Sequence, residues 1–272
     1  MRKYTDLGHG LPRVLRLGLA TRGGSHLRAE DVHYAIERGV NYLNWCWRRD
    51  GLAKAIAQLG PLRRRVAVAV QLEARTAAEA RIEFGGFLDQ LGTDYLDIVT
   101  LYYVEAAEEW TRITARGGAW HFLNEQKRAG RLRMIGLTSH QRPLAARWAA
   151  TGRLDLLMIR YNAAHRGAEG DVFPVTEERG IPAVTFTGLR WKALLAATPA
   201  DPPGFLPPSA ADCYRFGLAN PRVAVALAAP GNRQELDHAL SLLEDWRAPG
   251  KEELAALIAH GDRVHRSAGV FW

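Results

Sequence analysis

The sequence predicts an α/β protein: a (β/α)8 barrel with an N-terminal β-hairpin and a C-terminal extra helix. Three observations carry this. Short β-branched runs alternate with longer helical patterns eight times. Several runs are almost continuously apolar, as strands covered on both faces must be. The length, 272 residues, suits one barrel of about 250. Residues 1–272 therefore read as one domain, since no change of composition or linker divides them. A doubly wound open sheet is the alternative, but no G-x-G-x-x-G turn follows the first strand.

The strand runs are 14–20, 42–46, 66–72, 96–102, 134–138, 156–161, 183–186 and 223–228. The helical patterns are 29–38, 52–59, 77–90, 120–129, 144–151, 173–179, 210–219 and 233–243. Gly39, Gly60, Gly92, Gly130, Gly152 and Gly180 follow helices as stop signals. Gly8 and Gly10 separate two short extended stretches and predict a small hairpin beneath the barrel. The proline-rich stretch 196–208 (AATPADPPGFLPP) is inserted after the seventh strand, as a spacer or a stiff lid at the mouth. Residues 252–266 carry Leu254, Leu257, Ile258 and Val264 at helical spacing and predict a helix across the outside. Phe271 and Trp272 either fold over a neighbouring surface or fray.

Hydrophobic residues make up 47% of the chain and the formal net charge is +7. The arginines are scattered, the largest cluster being Arg63-Arg64-Arg65, and no nucleic-acid motif accompanies them. That reads as a solvated basic surface rather than a nucleic-acid interface. No apolar run approaches the roughly 20 residues of a membrane span, and the N-terminus lacks a signal peptide's apolar segment. Cys46 and Cys213 form neither a disulfide framework nor a zinc pattern. A cytoplasmic protein without metal is the expectation, its oligomeric state left open.

In such a barrel the strand C-termini and the loops after them build the site. They deliver Asn44, Cys46, Arg48 and Arg49; Gln71 and Glu73; Tyr102, Tyr103 and Glu105; Thr138, Ser139 and His140. The later strands deliver Arg160, Asn162, His165 and Arg166; Phe186, Arg190 and Trp191; Pro230 and Gly231. Guanidinium groups in this number suit a carboxylate or phosphate, so Arg48, Arg49, Arg160, Arg166, Arg190, Trp191 and His140 are the candidate anion-binding set. For any single arginine, exposure to water is the plainer reading. Tyr102 is the candidate acid, with a packing tyrosine as the alternative. Cys46 is a nucleophile if a histidine adjoins it and a small core residue otherwise. His140, His165 and Asp171 lack the spacing of helical metal ligands.

Four segments resemble the aldo-keto reductases: 4–21 (YTDLGHGLPRVLRLGLAT), 39–44 (GVNYLN), 91–102 (LGTDYLDIVTLY) and 130–140 (GRLRMIGLTSH), with Tyr161-Asn162 as a further match. The resemblance spans nearly the whole chain. It implies a barrel binding NADP(H) across its mouth and reducing a carbonyl, with a tyrosine acid supported by Lys, Asp and His. The four family positions are occupied here by Asn44 (Asp), Arg48 or Arg49 (Tyr), Gln71 (Lys) and Tyr102 (His). Asn44 and Gln71 have the chemistry to hydrogen-bond each other as a neutral pair. For the cofactor, the resemblance implies Thr138 and Ser139 at the nicotinamide amide, Phe186 beneath the ring, and Gly231 and Arg233 toward the phosphate. Met158 replaces the amide-binding Gln, and Glu235 falls near the family's arginine. Three readings follow: an atypical NADP(H)-dependent oxidoreductase, a barrel repurposed for elimination, isomerisation or hydrolysis, or a silent binder of a small, anionic ligand.

Overall fold

The computed structural model describes residues 1–21 and 26–267. The chain starts with β1 (Tyr4–Thr5) and β2 (Val14–Leu15), an antiparallel pair in which Tyr4 faces Leu15. The turn between them passes through Gly8, His9 and Gly10, all at positive φ, and the Asp6 carboxylate accepts from the Gly8 N–H at 2.8 Å. The expected strand 14–20 is split: after Arg16 the chain leaves the hairpin and enters the barrel as β3 (Leu17–Ala20). Arg16 itself makes the division. Its backbone N–H closes onto Lys3 O, while its buried guanidinium donates to the carbonyls of Leu218, Asn220 and Val223 at 2.9, 3.2 and 2.6 Å.

The closed barrel continues with β4 (Tyr42–Trp45), β5 (Ala67–Leu72), β6 (Leu96–Leu101), β7 (Leu132–Ser139), β8 (Leu156–Arg160), β9 (Ala183–Phe186) and β10 (Val223–Ala228). β10 returns to β3 with Ala226 beside Leu17 and Ala228 beside Leu19. The helices are α1 (Ala29–Glu37), α2 (Gly51–Ala57), α3 (Ala77–Leu91), α4 (Ala107–Thr114), α5 (Ala119–Arg128), α6 (Arg142–Ala149), α7 (Ala168–Asp171), α8 (Phe173–Glu178), α9 (Ala210–Ala219), α10 (Arg233–Leu240) and α11 (Lys251–Ser267). The ends obey local chemistry. Thr76 and Glu79 form a capping box at the start of α3, and Gly92 in the left-handed region ends it. Two helices are additional to the expected set: α7 has only four residues, and α4 is one short amphipathic stretch resting on Trp110 and Ile113 among Glu, Thr and Arg.

Side chains alternate along each strand and produce two cores. Leu17, Leu19, Leu43, Val68, Val70, Val99, Leu101, Ile135 and Leu157 join the cluster between barrel and helices. Tyr42, Ala67, Ala69, Ile98, Met134, Leu156, Met158, Val184, Val225 and Leu227 belong to the second, which fills the lumen. The N-terminal half of the lumen is thus filled mainly by apolar side chains, and most of its polar groups lie toward the C-terminal mouth.

α11 ties the mouth from outside. Gly261 lies against Ala163, whose carbonyl a Cβ at that position would meet at 2.2 Å. Arg166 is paired with Asp262 at 2.7 Å. The proline-rich stretch is fastened rather than loose: His260 bridges Leu194 O and Asp201, and Arg263 pairs with Asp201 at 2.5 Å. Burial alone would raise the Asp201 carboxyl, but hydrogen bonds from Thr198, Arg263 and His260 bring it down to about 2. Phe271 and Trp272 lie outside the described residues, and no helix among the described residues is long and apolar enough to cross a membrane.

Arg16→Met keeps the aliphatic stem but leaves three carbonyls near the end of α9 unpaired. Urea denaturation at neutral pH should show a loss of about 2–4 kcal/mol, whereas Arg13→Met on the exposed side of the same hairpin should change stability by less than about 0.5 kcal/mol.

Candidate active site at the barrel mouth

The alternation that fills the lumen sends Asn44, Gln71, Tyr102, Thr138, His140, Arg160 and Phe186 to one side of their strands, above the apolar layers. Their floor is a chain of neutral groups. Gln71 donates through Nε2 to Asn44 Oδ1 at 2.9 Å and accepts from the Thr138 hydroxyl at 3.0 Å. The Met158 thioether lies 3.3 Å from Gln71 Nε2, and Asn44 Nδ2 is 3.6 Å from Cys46 Sγ. Asn44, Gln71 and Thr138 are buried, and the expected Asn44–Gln71 bond is present. No ionised group belongs to it. Cys46 is buried and packed on this amide, the arrangement of a small core residue.

Above the floor runs a belt of rings. Trp47 meets Tyr102 edge-on at 5.0 Å, Tyr102 stacks on Tyr103 at 4.0 Å, Tyr103 adjoins His140 at 4.4 Å, and His140 meets Phe186 at 5.5 Å. Glu105 accepts from the His140 backbone N–H at 2.8 Å and lies 3.2 Å from its Nδ1, which orients the imidazole. Trp47 and Tyr103 hold φ values of 45° and 40°. Left-handed backbone at bulky residues costs about 1–3 kcal/mol each and persists only where surroundings over-determine it.

The cations collect on one side of the mouth. Arg160, beside Phe186 in the β8–β9 register, and Arg190 both lie 5.5 Å from the Trp191 ring. Burial holds both guanidiniums below the ordinary arginine value, and each has a further arginine nearby: Arg142 for Arg160, Arg160 for Arg190. Arg160 Nε and His165 Nε2 are buried with no hydrogen-bond partner among the described residues. His165 is pushed down to about 3, first by burial, then by Arg190, Arg160, His265 and Arg142. It is a neutral imidazole inside a cationic cluster.

The other sequence candidates are placed differently. Arg48 and Arg49 are exposed on the β4–α2 loop, where Arg48 O accepts from Trp45 Nε1 at 2.6 Å. Arg166 serves α11 through Asp262 and also donates to Ala163 O. The Ser139 hydroxyl accepts from Gln141 N–H at 3.0 Å, capping the approach to α6. Arg233 is spanned by Asp31 at 3.2 Å and Asp237 at 3.3 Å and lies over the Tyr34 ring. The Gly231 N–H donates to Glu235 at 2.8 Å. Glu105, Arg142 and Lys192 are site residues whose parts were not evident in the sequence. Glu105 meets His140, Arg142 lies near Arg160 while paired with Asp171, and Lys192 meets Glu235; these neighbours come from other strands or loops, so no local pattern marks them. Among the described residues no three His, Cys, Asp or Glu side chains converge as metal ligands.

Residues 17–205 match the aldo/keto reductase family model. The chain belongs to that family. It is 27% identical over 118 residues to the NADH-specific methylglyoxal reductase of Escherichia coli (strain K12), a match covering 43% of this chain and 35% of that protein. The chain thus spans about a third of the length of the curated relative it matches. Among solved structures it is similar to an aldo-keto reductase from Bacillus halodurans in its apo form, at TM-score 0.76 and 17% identity over 100% of this chain and 98% of that one. It is likewise similar to an aldo-keto reductase from Klebsiella pneumoniae in complex with NADPH, at TM-score 0.76 and 20% identity over 96% of each chain.

His165 gives the cluster a pH signature. Its folded value is depressed from 6.5 to about 3. The stability it confers is complete above pH 6.5 and is lost as pH falls toward 3. His165→Gln should therefore lose less stability than the parent between pH 7 and pH 5 in paired urea melts. An equal loss in both proteins would place the acid sensitivity elsewhere.

Proposed function

We propose that this family member is an atypical nicotinamide-dinucleotide-dependent oxidoreductase acting on a small anionic carbonyl compound. The observation that carries the reading is the Arg160–Trp191–Arg190 assembly beside Phe186, with the buried Arg160 Nε lacking a partner among the described residues. A carboxylate or phosphate oxygen satisfies that donor and relieves the repulsion between the two guanidiniums. The relative's name, with its NADH and methylglyoxal, supports a dicarbonyl-sized substrate.

The residues fit a nicotinamide group in part. Thr138 offers a hydroxyl at the end of β7 and Phe186 a ring face, while Ser139 is engaged with Gln141 and Met158 replaces an amide. When bound, such a dinucleotide supplies hydride to the carbonyl carbon. The chain's part is to hold the substrate anion on Arg160 and Arg190, exclude water with the ring belt, and deliver a proton to the carbonyl oxygen. Tyr102 is assigned that proton because it is the lumen-facing hydroxyl on the belt. Its hydroxyl acts without the charged support of the family's Lys and Asp, since Gln71 and Asn44 are neutral amides bonded to each other. A second reading, a binder without turnover, is favoured by that closed neutral floor.

Reduction of simple aldehydes should stay near background, because a well-supported acid contributes about 10²–10⁴-fold. NADH and NADPH oxidation with aromatic aldehydes, methylglyoxal and 2-oxo carboxylates checks this. Turnover confined to 2-oxo carboxylates and abolished by Tyr102→Phe supports the oxidoreductase. Binding without turnover on any substrate supports the silent binder. Robust aldehyde turnover surviving Tyr102→Phe would mean that the proton comes from elsewhere.

Arg160→Gln combined with Arg190→Gln should weaken 2-oxo carboxylate binding at least about tenfold and flatten its salt dependence, read by fluorescence titration. Unchanged affinity and salt slope would reduce both arginines to scaffolding.

A further inference from the structure

Barrels of this kind commonly bind phosphate at the loops after the seventh and eighth strands, where an adjoining helix presents its N-terminal N–H groups. Here those loops follow β9 and β10, and the helix is α10. The position is filled from within. Glu235 Oε2 accepts from the Gly231 N–H at 2.8 Å, and Oε1 accepts from Lys192 Nζ at 2.6 Å and Asn232 Nδ2 at 3.4 Å. The Asn232 side chain in turn caps the Glu235 N–H at 2.9 Å. The carboxylate of Glu235 thus takes three donors that an incoming phosphate would need, and its Lys192 and Gly231 partners hold it below the usual carboxylate range.

The one further cation in the segment is spoken for. Arg233 is held between Asp31, which is buried, and Asp237, with its guanidinium 3.4 Å from the Tyr34 ring centre. Asp31 is also bonded to the Arg28 backbone N–H. Three carboxylates, Asp31, Glu235 and Asp237, surround this loop. A phosphate monoester carries about −1.5 to −2 charges near neutral pH. To bind it would have to expel Glu235 or lie against it, and like charges at contact are strongly unfavourable. A ribose hydroxyl meets the same carboxylate as a hydrogen-bond donor, with no displacement and no repulsion.

We infer that Glu235, clasped by Lys192 and Gly231, makes this chain select the dinucleotide with a free 2′-hydroxyl, NAD(H), against the 2′-phosphorylated NADP(H). The inference rests on the reading that the mouth takes a nicotinamide dinucleotide, and it replaces the NADP(H) expected from the resemblance.

The test is binding alone, by quenching of tryptophan fluorescence in the intact protein with NADH, NADPH, ADP-ribose and 2′-phospho-ADP-ribose. NADH and ADP-ribose should bind at least about tenfold more tightly than their 2′-phosphorylated counterparts. Glu235→Gln, which keeps the shape and removes the charge, should cut that ratio at least about fivefold by improving the phosphorylated ligands. Lys192→Gln, at an exposed side chain, should widen the ratio, because it leaves the carboxylate without its cation. NADPH binding as tightly as NADH, or a ratio unmoved by Glu235→Gln in a protein whose melting temperature is unchanged, overturns the inference while leaving dinucleotide binding intact. Failure of all four ligands to bind at millimolar concentration overturns both.

Discussion

In a closed parallel barrel every second residue of a strand faces the lumen, and the register between neighbours leaves no freedom to exchange the two sets. Here that period places Tyr42, Asn44 and Cys46 on one row, Ala67, Ala69 and Gln71 on the next, and Ile98, Thr100 and Tyr102 on a third. The intervening residues Leu43, Val68, Val99 and Leu101 go outward into the helix layer. Closure depends on the seam between β10 and β3, where Arg16 anchors the hairpin to carbonyls at and beyond the end of α9. The mouth therefore inherits its chemistry from a few inward positions, while the outer core can hold the fold whatever those positions carry.

That independence explains how a family scaffold accommodates a neutral floor. A buried charged pair is favourable only when both partners are present and fully bonded, and removing one strands the other. Asn44 and Gln71 avoid the problem together. Each amide finds a partner in the other, Thr138 supplies a donor, and the sulfurs of Cys46 and Met158 fill the remaining edges. The guanidiniums of Arg160 and the buried Arg190 gather apart from this floor, around Trp191. The mouth thus has an uncharged floor, with Arg160 and Arg190 beside Trp191 and Glu105 beside His140 as the charged groups around it.

The sequence made the strands legible because largely apolar runs of four to seven residues have few other uses, and the glycine stops bounded the helices between them. Asn44, Gln71, Tyr102 and Arg160 could be placed at strand ends by counting alone. What counting missed lies in contacts across elements. Arg16 sits within an otherwise apolar run and divides it because three distant carbonyls take its guanidinium. Ser139 follows Thr138 but has the opposite parity and turns its hydroxyl to Gln141. Arg166 resembles a mouth arginine until α11 brings Asp262 to it. Lys192 and Glu235, 43 positions apart, carry no joint signal before the loops meet.

The loop after β9 shows why these distant contacts matter to the site. Thr187, Arg190, Trp191 and Lys192 all have positive φ, from 50° to 71°, in a region that side chains other than glycine, asparagine and aspartate seldom adopt. At about 1–3 kcal/mol each, such a run does not hold its shape by local preference. It is held from three sides. Asn162 Nδ2 donates to Thr187 O at 2.7 Å, Lys192 reaches Glu235, and Leu194 O accepts from His260 of α11 at 3.1 Å. Arg190 and Trp191 stand between these anchors, so the position of the rim cations is set by β8, α10 and α11 together. The C-terminal helix, which touches none of the floor, belongs to the site through the backbone it restrains.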